Sequence, residues 1–208
     1  INGKPLIQRN IEYLKAFGFK EFVINIHHYA PLIKEFLNKN DNFGVHIQLS
    51  EEEKLLETGG GLLQAQQWLK EAPFLVMNAD ILTDMDLNEF IIFHQKEKPL
   101  VSLAVSDRKS TRKLLFNTKN TLCGWKDLRN GEEIIKDKNY TQELAFSGIH
   151  IIEPQFFELN PFHGKFSIMK PYMHLMGSQI IKGFDHTGSK LLDVGKPESI
   201  AVAETLFK

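Results

Sequence analysis

Cysteine is almost missing from this sequence. A single one, Cys123, among 208 residues excludes an internal disulfide framework and fits a reducing cytosol. A surplus of either charge is missing too: 25 Lys+Arg stand against 26 Asp+Glu, a formal net charge of −1. A dedicated nucleic-acid binder would carry a basic excess, so no nucleic-acid partner is expected. No apolar run approaches the roughly 20 residues of a membrane-spanning helix. No membrane partner is therefore expected, and the sequence reads as cytoplasmic. There is no secretory leader in view, no internal repeat and no low-complexity tract. What is present is 42% hydrophobic and 25% charged, the proportions of one globular domain.

Hydrophobic periodicity sets out the elements. Leu6 to Phe17 carries Ile7, Ile11 and Leu14 at helical spacing, with Gly18 as a C-cap. Phe22 to Ile26 is a short apolar run, the pattern of a strand buried on both faces of a parallel sheet. Pro31 suits the first turn of a helix through Leu37. Val45, Ile47 and Leu49 alternate as a strand. A loop over 50–58 leads to Gly59-Gly60-Gly61, which opens a helix to about Lys70. Phe74 to Met77 is a strand, Leu87 to about Lys96 a helix and Leu100 to Val105 a strand. Such alternation predicts an α/β domain with a mainly parallel mixed sheet, helices on both faces and right-handed crossovers. Residues 107–143 are polar and read as a small β excursion with a hairpin turn at Asn130-Gly131. Strands over 146–152, 180–184 and 191–194, a helix after Ser167 and a closing helix from Pro197 complete the chain.

Open α/β sheets bind ligands at the carboxyl ends of their strands, and three features fall there. Leu56-Glu57-Thr58-Gly59-Gly60-Gly61 precedes a helix. Glycines in that place either let backbone N–H groups approach a ligand or make a flexible turn. Asp80 follows the 74–77 strand, where it either holds Mg²⁺, which prefers hard oxygen ligands, or braces a turn. Asp193-Val194-Gly195 repeats the pattern after another apolar run, with Gly195 opening space beside the carboxylate. Two strand-end acids with a Gly-rich loop suit a nucleotide–metal site better than any one of them alone. Asp84-Met85-Asp86 has the form of an Asp-x-Asp metal motif, but Asp86 precedes a helix and reads as its N-cap. His27-His28 lacks an acid or thiol at ligand spacing. Ser147 lacks a nucleophile-elbow context.

Taken in order, Gly3-Lys4-Pro5-Leu6-Ile7, Leu56 to Gly61, Asn78-Ala79-Asp80, Phe146-Ser147-Gly148-Ile149 and Asp193-Val194-Gly195 resemble the sugar-1-phosphate nucleotidylyltransferases over essentially the whole chain. The branch resembled is that of the N-acetylmuramate-1-phosphate uridylyltransferases, and mannose-1-phosphate guanylyltransferases are similar. The resemblance implies a Rossmann-like nucleotidyltransferase fold and joining of a sugar 1-phosphate to a nucleoside triphosphate, with UTP favoured. It implies that Asp80 and Asp193 hold Mg²⁺ and that Thr58, Gly59, Gly60 and Gly61 line the base and ribose. Asn78, Glu143, Ser147 and Gly148 would then meet the sugar.

The chain departs from the family in two places. Ala79 stands where the family usually has Gly. The family also begins with a strand and a Gly-x-Gly-x-Arg loop before the Gly-Lys-Pro-Leu-Ile stretch, and here the chain opens at Ile1. The expectation is therefore a fragment, catalytically incompetent as it stands, with two unpaired strand edges. Two other classes stay open: a glycosyltransferase using Asp84 and Asp86 for its metal, and a non-catalytic nucleotide-sugar-binding module.

Overall fold

Helices and strands alternate through the first half of the computed structural model, which describes residues 1–207. The order is α1 (Leu6–Ala16), β1 (Glu21–Ile26), α2 (Ala30–Lys39), β2 (His46–Glu51), α3 (Glu57–Gln64), β3 (Phe74–Met77), β4 (Ile81–Thr83), α4 (Leu87–Glu97) and β5 (Val101–Ser106). Local chemistry explains several boundaries. Gly18 takes φ +88° just past α1, where a side chain would meet its own carbonyl. Pro31 lies in the first turn of α2, where a missing N–H leaves no intrahelical bond unmade. The Asp86 carboxylate caps α4 by accepting Asn88 N–H at 2.8 Å, as its position before the helix predicts.

The meander β6 (Arg112–Phe116), β7 (Leu122–Asp127) and β8 (Glu133–Ile135) follows, with its turn at Gly131, φ +75°. It leads into β9 (Gln142–Ile152), an eleven-residue strand. The remaining elements are α5 (Phe156–Leu159), α6 (Met169–Leu175), β10 (Ile181–Asp185), β11 (Leu191–Asp193) and α7 (Ser199–Leu206).

The sheet is mixed and mostly antiparallel, which corrects the mainly parallel sheet expected. Among the described residues, only β1 with β2 and β10 with β5 are strands that pair in parallel. Antiparallel ladders join β9 to β3, β5 and β6, β6 to β7, β7 to β8, and β4 to β11. The cause is β9. It returns from the meander without a crossover helix, runs against β3 and β5, and inserts between them. β3 and β5 still point the same way, as a βαβ unit requires, but they are not neighbours. One side of β9 is shared: Gln142 to Leu144 pair with β6 and Ile149 to Ile152 with β3.

Among the described residues, β1 and β2 form a separate two-stranded sheet and β3 pairs only with β9. One edge of β1 and one edge of β3 are therefore unpaired. The apolar residues of β3 are all partly exposed, whereas every residue of β5 is buried.

Alternation sends the two faces of the large sheet into two cores. Val101, Leu103 and Val105 pack with Tyr172, Phe156 and Ile168 on the α6 side. Ala104, Ile149 and Ile151 pack with Leu87 and Phe90 of α4, joined by Tyr13 and Leu14 of α1. Each fully buried Val, Leu, Ile or Phe among these contributes roughly 1.5–3 kcal/mol by leaving water. One polar group crosses the second face: His94 of α4 bonds Ser102 Oγ at 2.8 Å and Glu153 Oε1 at 3.1 Å. No helix among the described residues is long and apolar enough to cross a membrane.

Candidate functional site

The Asn78-Ala79-Asp80 turn caps the carboxyl end of β3 and is held from three sides. Asn78 N–H donates to Gly148 O at 2.9 Å, Ile81 N–H to Asn78 O at 3.1 Å, and Asn10 of α1 donates its amide to Ala79 O at 2.9 Å. Gly148 has φ +74°, and a Cβ there would press on Asn78 and Ile81 at 3.0 Å each. Only glycine suits that conformation and that contact.

Antiparallel pairing of β4 with β11 puts Asp193 opposite Ile81, and Val194 N–H donates to Asp80 O at 2.8 Å. The two carboxylates then meet over Gly195. A Cβ on Gly195 would lie 2.9 Å from Asp80 Oδ2 and 3.1 Å from Asp193 Oδ1. Gly195 N–H also donates to Asp193 Oδ1 at 2.9 Å. Burial, and then the neighbouring Asp193 charge, raise the Asp80 carboxyl above its ordinary value. Repulsion of this kind is what a divalent cation relieves. Among the described residues no group of three or more His, Cys, Asp or Glu is arranged for a metal. Two carboxylates nonetheless suit Mg²⁺, which commonly takes one or two and completes its shell with water and phosphate.

A second polar group gathers on β9, next to the Gly148 that holds the Asn78 turn. Ser147, fully buried in β9, shares a 2.7 Å hydrogen bond with His186 Nε2. Arg108, two residues past β5, donates from Nη2 to Phe146 O at 2.8 Å. Burial holds the His186 imidazole below its ordinary value. Burial also depresses the Arg108 guanidinium, and the Asp193 charge offsets part of that. Neither Arg108 nor His186 has a local sequence signature. The pairing of β5 with β10 brings them to the same strand ends.

The Gly triplet lies inside the first turns of α3 instead of before it. The N–H groups of Gly59 and Gly60 are both taken up by Phe166 O, at 2.9 and 3.2 Å. A Cβ on Gly59 would overlap the Phe166 ring, and one on Gly60 the Gly164 carbonyl. On Gly61 it would meet Glu52 Oε1 at 2.5 Å and Asn25 Nδ2 at 2.8 Å. Close packing of the 163–166 strap and of Glu52 thus requires these glycines. Glu52 is buried, accepting Asn25 Nδ2 at 3.0 Å and Leu56 N–H at 2.9 Å. Thr58 Oγ1 accepts Ile168 N–H at 3.1 Å.

Glu143 stands apart. It is exposed, paired with Lys126 at 2.5 Å, and about 16 Å along β9 from Gly148 at the usual strand rise. Asp84 Oδ1 accepts Lys190 N–H at 2.7 Å while Asp86 caps α4, so both acids of the Asp-x-Asp have structural partners.

Known proteins resemble this chain along its length. It is 31% identical over 208 residues to N-acetylmuramate alpha-1-phosphate uridylyltransferase of Neisseria meningitidis, covering 99% of this chain and 86% of that protein. It is 24% identical over 210 residues to the mannose-1-phosphate guanyltransferase of Yarrowia lipolytica, where it spans 56% of the relative's length. Its fold superposes on HddC from Yersinia pseudotuberculosis complexed with GMP-PN, with a TM-score of 0.80 and 22% identity over 100% of this chain and 88% of that one. Residues 1–114, more than half of the chain, match the family described as Nucleotidyl transferase, and to that family this protein belongs.

Proposed function

We propose that this protein makes a nucleotide sugar: a sugar 1-phosphate oxygen attacks the α-phosphorus of a nucleoside triphosphate, and pyrophosphate leaves. The convergence of Asp80 and Asp193 over Gly195 is the observation that carries this reading. The attacking oxygen is already anionic, so the chain needs no general base, and its work is positioning and charge control. Asn10 and Gly148 hold the turn that aims Asp80, and Gly195 keeps the space between the carboxylates free. Mg²⁺ bound by Asp80 and Asp193 would neutralise charge on the phosphoryl groups. Thr58 and the α3 glycines would line the base and ribose, and Asn78, Ser147 and Gly148 would face the sugar. Glu143 belongs there only if the sugar reaches far along β9.

UTP is the favoured triphosphate, on the similarity to the uridylyltransferase of Neisseria meningitidis. GTP is the second reading, on the guanyltransferase relative and the GMP-PN complex of HddC. The unpaired edges of β1 and β3 leave room for a further strand, and by the family likeness it would carry a phosphate-binding loop. The test is pyrophosphate release from UTP or GTP with N-acetylmuramate 1-phosphate, N-acetylglucosamine 1-phosphate or mannose 1-phosphate. It is run with this chain and with any form extended upstream that its gene encodes. Release by the extended form alone is expected. A glycosyltransferase or a binding module would release none from any pair.

A further inference from the structure

One polar residue interrupts the apolar run of β1. Asn25 stands among Phe22, Val23, Ile24 and Ile26, where a strand favours β-branched and aromatic side chains over asparagine. It is exposed, near the carboxyl end of β1 and in register with Ser50 of β2. Both protons of its amide are in use: Nδ2 donates to Gly61 O at 2.9 Å and to Glu52 Oε1 at 3.0 Å. α3 does not require the first of these bonds, because Gly61 O already accepts Ala65 N–H at the end of that helix.

Glu52 carries the contact further. It is buried, and its carboxylate accepts the Asn25 amide and Leu56 N–H, the latter at 2.9 Å. No cation among the described residues forms an ion pair with it. A buried acid answered by neutral donors alone costs stability against a neutral side chain of the same size. The backbone of Glu52 is fixed as well, its N–H on Ile26 O at 2.8 Å and its O at 2.7 Å from His27 Nδ1. β1 therefore grips the turn between β2 and α3 at two points, at Leu56 through Glu52 and at Gly61 directly. Between those points Gly59 and Gly60 are buried under Phe166 O, while Glu57 and Thr58 stay exposed.

We infer that Asn25 is a positioning residue for the nucleotide: through Gly61 and Glu52 it fixes the first turn of α3, so that Thr58 and its neighbours meet the base and ribose already in one conformation. Holding a binding turn in place before the ligand arrives raises affinity by lowering the cost of ordering it. Asn25 itself is assigned no contact with substrate. The inference rests on the nucleotidylyl-transfer reading above, which puts this turn against the nucleoside.

The test is titration, with Mg²⁺ present, of UTP, GTP, N-acetylglucosamine 1-phosphate and mannose 1-phosphate into the unaltered protein, Asn25→Ala and Asn25→Asp. It uses this chain and any form extended upstream that its gene encodes, with melting temperatures as the folding control. Asn25→Ala is expected to bind nucleotide about 10-fold more weakly, the scale of one or two lost hydrogen bonds. Asn25→Asp keeps the shape but sets an acceptor against Glu52 and Gly61 O, and should lose about 100-fold. In a form that turns over, KM for the nucleotide should rise by the same factors while kcat stays within about twofold. Affinity and KM for sugar 1-phosphate should also stay within about twofold. Unchanged nucleotide affinity in both variants overturns the role of Asn25 and, where pyrophosphate is released, leaves nucleotidylyl transfer standing. Asn25→Asp binding as well as Asn25→Ala removes the amide donors as the cause, and equal loss of nucleotide and sugar phosphate marks a merely structural asparagine; either overturns the inference. No nucleotide binding and no pyrophosphate release by any unaltered form removes the functional reading and Asn25 with it.

Discussion

Asp80 is a residue under opposing demands. Its carboxyl is raised by burial and by Asp193, so without a cation the pair costs stability. Asp80→Asn should therefore leave the metal-free melting temperature unchanged or higher by the equivalent of about 1 kcal/mol, while turnover of the extended form falls by orders of magnitude. Calorimetry and pyrophosphate release read the two effects separately, and near-normal turnover would remove the metal role. Gly60 makes the opposite case. Its missing Cβ leaves room for the backbone of Gly164, which has no rotamer with which to yield. Gly60→Ala should cost about 3 kcal/mol in urea unfolding. Asp80, Asp193 and Asp86 were legible because each follows or precedes a periodic run. Arg108, His186 and Glu52 were not, because what distinguishes them is burial beside residues distant in sequence.

Among the elements, α4 shows both a legible and an illegible end. Asp86 at its start is a side-chain acceptor before an apolar run, and such a cap is visible in sequence. At its end, Lys98 takes the left-handed conformation, φ 46° and ψ 49°, with its N–H on His94 O. Nothing in a lysine announces that. Being exposed, it has little packing to lose, so Lys98→Gly should stabilise the fold by about 1 kcal/mol, measured as a shift in urea midpoint at constant slope. α3 departs from expectation for a related reason. The helix begins at Glu57, itself at φ +61°, so the glycines fall within it and their amides meet Phe166 instead of open space. β9 reads correctly as a strand, but hydropathy carries no information about direction. Only its arrival from the meander makes it antiparallel to β3 and β5.

Acid sensitivity belongs to the whole molecule, because it arises from histidines enclosed by several elements. His150 is buried in β9, with the Tyr172 hydroxyl of α6 at 2.8 Å from its Nδ1, and burial brings its pKa from 6.5 down to about 3. His94 and His186 are lowered in the same direction, chiefly by burial. Below pH 6.5 the unfolded chain takes up protons that the folded chain refuses, so stability is full above that pH and is lost as pH falls toward 3. The slope is at most about 1.4 kcal/mol per pH unit for each histidine. Urea midpoints measured from about pH 7 to about pH 4 should fall steadily. His150→Asn, which keeps an acceptor for Tyr172, should flatten that fall, and an unchanged slope would dismiss His150 as its source. By itself the sequence determined the elements, the caps and the two strand-end acids, because periodicity, side-chain acceptors and carboxylates act within a few residues. Tertiary structure alone decided that β9 divides β3 from β5, that Asp80 and Asp193 face each other over Gly195, and that Arg108 and His186 meet the Phe146-Ser147 segment of β9. Those facts depend on which strands pair, and pairing is settled by the packing of the whole chain.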